Sequence, residues 1–289
     1  MQNTRTREAE RRLRELLVRD NTLNGGILFG LEGYVIEVQA RAMEVLKRPH
    51  PWVAVTNVSG MAGIAVKEAT TRIAGAFAKL RIPDPEVSIQ INLTPASVLK
   101  EGTWLDLPLA IIMLQAAGIL PDLPEHLEGD FMLLGEVGLH GEIRRVPGAL
   151  SIAYIAKAGQ TLIVPAGNEK ECALIIAKPG HEGCRVCAVS TLDEVVDFFA
   201  GRRKLENALN NEIHFEPVIA KAVDFGAIRG QEAAKEAAII AAAGGHNLLM
   251  LGSKLTTPLF RPFLHDFAFD KYAHCAGVLH AHKYGLFSS

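Results

Sequence analysis

Three stretches of this 289-residue sequence have residue types and spacing that could do chemistry. The first is "GGHNLLMLGSKLTTPLF", residues 244–260. Two glycines lead into the apolar run Leu248–Leu251, and Gly252 follows. A strand running into a glycine turn is how a phosphate-binding loop opens, because backbone N–H groups and a helix N-terminus must converge on the nucleotide. Four variable residues and then Gly-Lys-Ser or Gly-Lys-Thr should complete that loop. The chain instead continues Ser253-Lys254-Leu255-Thr256-Thr257-Pro258, and Gly-Lys-Ser/Thr occurs nowhere in it. The lysine that reaches the β- and γ-phosphates and the hydroxyl that holds Mg²⁺ have no substitutes. The loop starts and is not finished.

The second stretch is Cys184-x-x-Cys187, half of a zinc knuckle or a redox pair. Tetrahedral zinc needs four ligands, and no second pair of fitting spacing follows. His274, His280 and His282, with Cys275 among them, offer ligands by composition alone. The plainer reading makes the cysteines small apolar filler on a strand, and no metal site is expected. The third stretch holds Glu136 and Glu142 on either side of a Gly-rich turn. Nothing apolar is spaced to raise either pKa, so both are expected to be solvated rather than paired for acid–base work. Arg144 and Arg145 are read as surface residues, since two residues make no basic patch.

Positioning these groups falls to an alternating pattern. Residues 4–19 read as a charged helix with Leu13, Leu16 and Leu17 as its apolar stripe, ended by "NTLNGG". From residue 27 to 200, strands and helices alternate. "YVIEVQA" and "WVAVTNV" are β-branched and predict strands. Val66, Ile73, Phe77 and Leu80 recur at helical spacing. "VSIQINL" alternates apolar and polar residues, as a half-buried strand does. "DLPLAIIMLQAAG" predicts a helix with Pro108 in its first turn and Gly118 at its end. "FMLLGEVGLHGEIRRV" predicts two short strands around His140-Gly141, "CRVCAV" a strand, and "TLDEVVDFFAG" a helix capped by Thr191. The fold class is therefore α/β, with a two-layer α+β arrangement expected. Residues 201–223 are polar, poorly periodic and suited to a linker; residues 224–252 open a further domain with an Ala-rich helix; residues 253–289 lose all periodicity.

Three stretches together carry a family resemblance. "NLTPASVLKEGTWLDLPLAIIMLQAAGIL" resembles the Asn-Leu-x-Pro-Ala…Lys-x-Gly…Asp-Leu-Pro signature of the magnesium-chelatase-like AAA+ ATPases of the YifB or ComM type. "LLGEVGLHGEIRRVPGAL" is similar to that family's Gly-Glu…Gly-Glu-x-Arg-x-Val-x-Gly hairpin, and "DFGAIRGQEAAKEAAIIAAAGGHNLLMLG" to its entry into the ATPase domain. The resemblance spans residues 27–252. It implies a Lon-protease-like domain over residues 27–200, related to domain 2 of ribosomal protein S5, behind a divergent charged arm of residues 1–26. It also implies the start of an AAA+ module from residue 224. Walker B, sensor and arginine-finger residues should follow and do not. The change after Gly252 is expected to mark a truncated or frameshifted form with an aberrant tail.

The resemblance sharpens several candidates. Lon-type peptidases use a serine nucleophile and a lysine base. The serine would stand near Thr103-Trp104-Leu105 and the lysine near Gly148-Ala149-Leu150; neither is present, and Trp104 is expected at the serine's place. Thr103 lacks an evident base, so no catalytic residue is assigned. Lys100 is read as a surface charge and Asp106 as a helix N-cap. Ile228, Gly230, Gln231 and Gly252 correspond to the family's nucleotide site, here vestigial, so ATP and Mg²⁺ are expected in intact relatives and no cofactor in this chain. Those relatives resemble hexameric, ATP-driven DNA remodellers whose N-terminal domain serves assembly or DNA engagement, which implies a homo-oligomer and DNA as partners. A net charge of −2 provides no electrostatic footprint for nucleic acid or membrane beyond a local patch. No apolar run is long enough to span a bilayer and the N-terminus has no signal-peptide core, so a cytoplasmic location is expected.

Overall fold

The computed structural model describes residue 11 and residues 13–121, 130–208, 230 and 232–244. The chain divides into two compact units, Met1–Ile213 and His214–Ser289. The first unit starts with helical residues 13–18 (α1). It continues with β1 (Asn21–Phe29), β2 (Glu32–Val45), α2 (Trp52–Val55), β3 (Thr56–Ser59), α3 (Ile64–Lys79) and β4 (Val87–Thr94). Then come α4 (Asp106–Ala116), β5 (Phe131–Leu133), the hairpin β6 (Glu136–Val137) and β7 (Ile143–Arg144), and α5 (Ala149–Ala153). The unit closes with β8 (Thr161–Pro165), α6 (Glu169–Ile176), β9 (Arg185–Val189) and α7 (Leu192–Phe199).

One sheet runs in the order β3-β4-β2-β1-β5-β8-β9. β2 is antiparallel to both neighbours and every other pairing is parallel, so the fold is α/β with a mostly parallel sheet. The two ends of the sheet are covered differently. On β4 the buried residues are Val87, Ile89, Ile91 and Leu93, alternating with polar ones. On β8 every residue is buried. Ile163 joins a core made with α3, α4 and α7, while its neighbours Leu162 and Val164 join a second core with α5 and α6. Two layers, as expected from the sequence, thus describe only the β3-β4-β2 end; around β5-β8-β9 helices lie on both faces and make three.

Helix α4 runs through the larger core and is buried at every position from Asp106 to Ala116. A helix apolar all round has no solvent face to offer, which is why it sits inside. Gly118, with φ +70, ends it in the left-handed conformation. Thr191 accepts the Glu194 N–H and Glu194 returns the bond, a capping box that starts α7 as the sequence indicated.

Three boundaries differ from the sequence reading. Gly25-Gly26, read as the stop after the first helix, lies inside β1, so a domain boundary at residue 27 would cut that strand. A Cβ on Gly25 would lie 2.6 Å from Leu105 next to α4, and one on Gly26 would lie 2.2 Å from Ile152 of α5. Each glycine admits a helix to one face of the sheet. "WVAVTNV" is a helical turn followed by a strand, because Trp52 turns inward to pack edge-on against Phe77 with ring centroids 4.7 Å apart. The polar stretch after residue 200 is not all linker. Leu205 joins the core, its carbonyl accepts from Arg185, and Asn207 accepts the Val186 N–H at the edge of β9.

Of the second unit the structure describes Gly230 and α8 (Glu232–Gly244), the expected Ala-rich helix, with Ala238 and Ala241 buried and Ile239 and Ile240 exposed. The expected strand over 247–251 and the tail of 253–289 lie outside the described residues.

Candidate functional site

The polar groups best placed for chemistry collect at the first turn of α4. β1 and β5 run side by side in parallel there, but the chain leaves β1 for β2 and β5 for β8, in opposite directions across the sheet. Such a switch point is where an open α/β sheet forms a crevice. Two backbone bonds seat α4 against it: Leu107 N–H to Gly135 O at 3.1 Å, and Gly135 N–H to Trp104 O at 3.1 Å.

Trp104 stands beside this point, half-buried and packed against both cores. Its indole Nε1 donates to Pro147 O at 2.8 Å. The ring folds back on Gly102, where a Cβ would lie 2.1 Å from it, and Gly102 has φ +86. The place that the resemblance assigned to a nucleophile therefore holds an indole bonded to the segment assigned to the base.

Thr103 beside it does have a partner. Its Oγ1 donates to Glu136 Oε2 at 2.8 Å, a contact between residues 33 apart that no local pattern announces. Glu136 also lies 3.8 Å from Arg144, which donates to Glu142 at 2.6 Å. Glu142 accepts the His140 N–H at 3.1 Å as well. Its carboxyl is held below the usual range by its own backbone N–H first, and then by Arg144 and the His140 amide. Glu136 and Glu142 are thus half-buried and engaged, not solvated as expected. Arg144 is exposed but bridges both acids, and Arg145 lies 3.9 Å from Glu171.

Asp106 is not the N-cap. Leu105 holds that position, and the Asp106 carboxylate is buried, 1% exposed. Arg72 of α3 grips it at both oxygens, each bond 3.0 Å, and the Val137 N–H reaches it from the hairpin at 3.2 Å. Burial outweighs these partners and pushes its pKa up to about 7. The carboxylate ties three elements together rather than capping one.

Lys100 is not a surface charge either; it is 0% exposed. Its Nζ donates to Gly60 O at 2.7 Å, to Leu93 O at 3.2 Å and to Pro95 O. Burial lowers its pKa from the ordinary lysine value. Three carbonyls around one amine nevertheless each require an N–H, the arrangement of a protonated ammonium, not of a base with a free lone pair. The misreading has a simple cause: the Gly60 carbonyl comes from the turn after β3, 40 residues away, and meets those of Leu93 in β4 and Pro95 just after it only when β3 pairs with β4.

The paired cysteines cannot act together. Residues three apart on a strand face opposite ways, and Cys184 joins the core under α5 and α6 while Cys187 joins the other. The Cys184 thiol donates to Lys157 O at 2.9 Å. Burial raises the Cys187 and Cys172 thiols above the usual value. Both remain thiols, inert as nucleophiles. Among the described residues no group of three or more His, Cys, Asp and Glu is arranged to hold a metal ion. Gly230 is exposed with φ +69, and no described residue lies within 4 Å of a Cβ placed on it. Ile228, Gln231, Gly252, His274, Cys275, His280 and His282 lie outside the described residues.

Known proteins match along the same stretches. The family described as subunit ChlI of Mg-chelatase matches residues 50–168, which contain α4, Trp104 and the hairpin. A second one, magnesium chelatase, subunit ChlI, matches residues 224–256. YifB of Escherichia coli (strain K12) is 37% identical over 196 residues, 67% of this chain and 36% of that protein. YifB of Salmonella typhimurium is 38% identical over 194 residues, with the same shares. Competence protein ComM of Haemophilus influenzae is 35% identical over 198 residues, 67% of this chain and 37% of its own length. The chain belongs to the YifB/ComM-type magnesium-chelatase-like proteins. The match spans little more than a third of each relative's length. Within this magnesium-chelatase-like chain, Trp104, Thr103, Lys100 and Asp106 all fall in the first family match, and α8 falls in the second. No helix among the described residues is long and apolar enough to cross a membrane.

Proposed function

We propose that this chain is the non-proteolytic, Lon-like N-terminal part of a magnesium-chelatase-like ATPase that works in DNA processing, and that residues 224–258 as they stand form no working nucleotide site. The relation to competence protein ComM carries the DNA-processing reading, since that relative's name assigns it to competence. The non-proteolytic reading is supported by the indole of Trp104 bonded to Pro147 O and by the ammonium of Lys100 engaged by three carbonyls. A residual role would be assembly with further copies, or engagement of DNA.

The nucleotide part rests on the residues after Gly252. Triphosphate affinity in such a loop comes from backbone amides, one lysine and a hydroxyl-held Mg²⁺. Lys254 follows Gly252 by two residues, too early to curl around a phosphate, and Pro258 removes an amide. ATP and Mg²⁺ do not fit these residues.

Calorimetry with ATP and Mg²⁺ should detect no binding, and phosphate release should stay at background with or without DNA. Fluorescence anisotropy with single-stranded and branched DNA, at rising salt, tests the other part. A micromolar ATP affinity abolished by Lys254→Ala sinks the nucleotide reading. No DNA binding at low salt removes DNA engagement and leaves assembly.

A further inference from the structure

The groups around the first turn of α4 form one chain of charges. Arg72 of α3 holds both oxygens of Asp106, and the Val137 N–H reaches the same carboxylate from β6. Glu136, the residue before Val137, opposes the charge of Asp106 and accepts from Thr103. Arg144 of β7 pairs with both Glu136 and Glu142. Three carboxylates thus share two guanidinium groups, and one negative charge is left over. Among the described residues no other charged side chain acts on Asp106: β1, β2, β5 and α7 also touch α4 and direct none at it.

A cluster with one acid too many takes up a proton, because like charges close together cannot all ionise in a site short of water. That proton has one suitable place. Glu142 is held ionised by its own backbone N–H, by Arg144 and by the His140 amide. Glu136 is half-buried, with the Thr103 hydroxyl and Arg144 beside it. Of the three, only Asp106 is cut off from water.

What the proton changes is the grip on α3. A neutral carboxyl no longer attracts a guanidinium, and Arg72 has another acceptor within reach. Its Nη2 is already 3.3 Å from Ala65 O in its own helix, and its side chain is 23% exposed, so it also reaches water. The Val137 N–H keeps an acceptor in the carbonyl oxygen of the protonated acid. About one turn further along α3, at Gly75, the hairpin tip rests on the helix: a Cβ there would lie 2.8 Å from Leu139 Cδ2. Arg72 is the polar tie between α3 and the hairpin, and Leu139 the apolar one.

We infer that this cluster is a proton-controlled clasp: with Asp106 ionised, Arg72 fastens α3 to α4 and the hairpin, and with Asp106 protonated, Arg72 swings to Ala65 O and the fastening opens. Burial first, and Glu136 after it, raise the Asp106 carboxyl to about 7 against the pull of Arg72, which puts the change near neutral pH. The clasp closes as pH rises. Burial disfavours the ionised carboxylate, so closing lowers the stability of the whole unit while it orders Arg72. A freed Arg72 at low pH is therefore a local event and not the start of unfolding. The inference does not depend on the DNA-processing reading.

Nuclear magnetic resonance on the full chain, isotope-labelled at aspartate Cγ and arginine Nε, reads both partners. From about pH 5 to about pH 9 the Asp106 and Arg72 signals should move together, with one midpoint within about one unit of 7. Glu136→Gln removes the surplus charge and should lower that midpoint by at least about 0.5 pH unit. Arg72→Lys keeps the charge but not the fork and should raise it. Asp106→Asn should leave the Arg72 signal at its low-pH position throughout; if that variant does not fold, the other two still decide. An Asp106 signal that stays ionised down to about pH 5 overturns the proposal. So does an Arg72 signal that does not follow it, or a midpoint that Glu136→Gln leaves in place.

Discussion

Strands β4 and β8 belong to one sheet and run in the same direction, yet β4 buries every second residue and β8 buries all five. Helices α5 and α6 close the second face over β8, whereas Ser59, Gln90, Asn92 and Gln39 on the corresponding face of β3, β4 and β2 bond to one another beside an open depression of about 400 Å³. The difference shows where each half draws its stability. The β8 half depends on packing in two directions. The β4 half depends on one packed face, on amide and hydroxyl side chains bonded across its strands, and on the charge of Lys100 holding the turns at its end.

The largest effect expected from breaking this contrast is at Lys100. Lys100→Met should destabilise the first unit by about 2–4 kcal/mol, because it leaves the carbonyls of Gly60, Leu93 and Pro95, of which Leu93 is fully buried, without their shared donor. Urea unfolding measures this, and a loss under about 1 kcal/mol would show that the turns after β3 and β4 hold without the ammonium.

Next come adjacent pairs on the two strands. Leu162→Ala and Ile163→Ala should each cost about 2–4 kcal/mol, since both side chains of β8 are in a core. On β4 only Ile91→Ala should do so, while Gln90→Ala stays within about 0.5 kcal/mol. A neutral Leu162→Ala would remove the third layer from the description.

Gly26→Ala tests how closely α5 approaches β1. The new methyl meets Ile152 Cγ2 at 2.2 Å, an overpacking worth about 1–3 kcal/mol. Adding Ile152→Ala should recover part of that loss in a double-mutant cycle; strict additivity would mean that the two residues do not touch.

The last expected effect is a slope with pH at the border of the halves. The folded pKa of Asp106, about 7, lies above its ordinary 3.8, so between these values the folded protein binds more protons than the unfolded one. Stability from this group is complete below pH 3.8 and is lost as pH rises through about 7, with a slope of at most about 1.4 kcal/mol per pH unit. Denaturant midpoints from pH 4 to 8 should fall in the parent, and more shallowly in Asp106→Asn. Parallel curves would exclude Asp106 as the source.

Features that depend on near neighbours in the chain were determined by the sequence itself. The alternation of β4, the apolar spacing of α3, the hairpin around His140-Gly141 and the capping box at Thr191 all use partners a few residues away. So does the strand β9, Arg185–Val189, which carries Cys187. Tertiary structure alone decided the rest. Gly25-Gly26 looks like a turn until a helix presses on each face of β1. A β-branched "WVAV" yields to the burial of one indole against Phe77. Lys100, Asp106 and Thr103 look like exposed polar residues because what defines them includes partners far along the chain: Gly60 O 40 residues from Lys100, an arginine 34 residues from Asp106 and a glutamate 33 residues from Thr103. A buried charge takes its meaning from the groups that replace its water, and those are brought to it only when the sheet and its helices close.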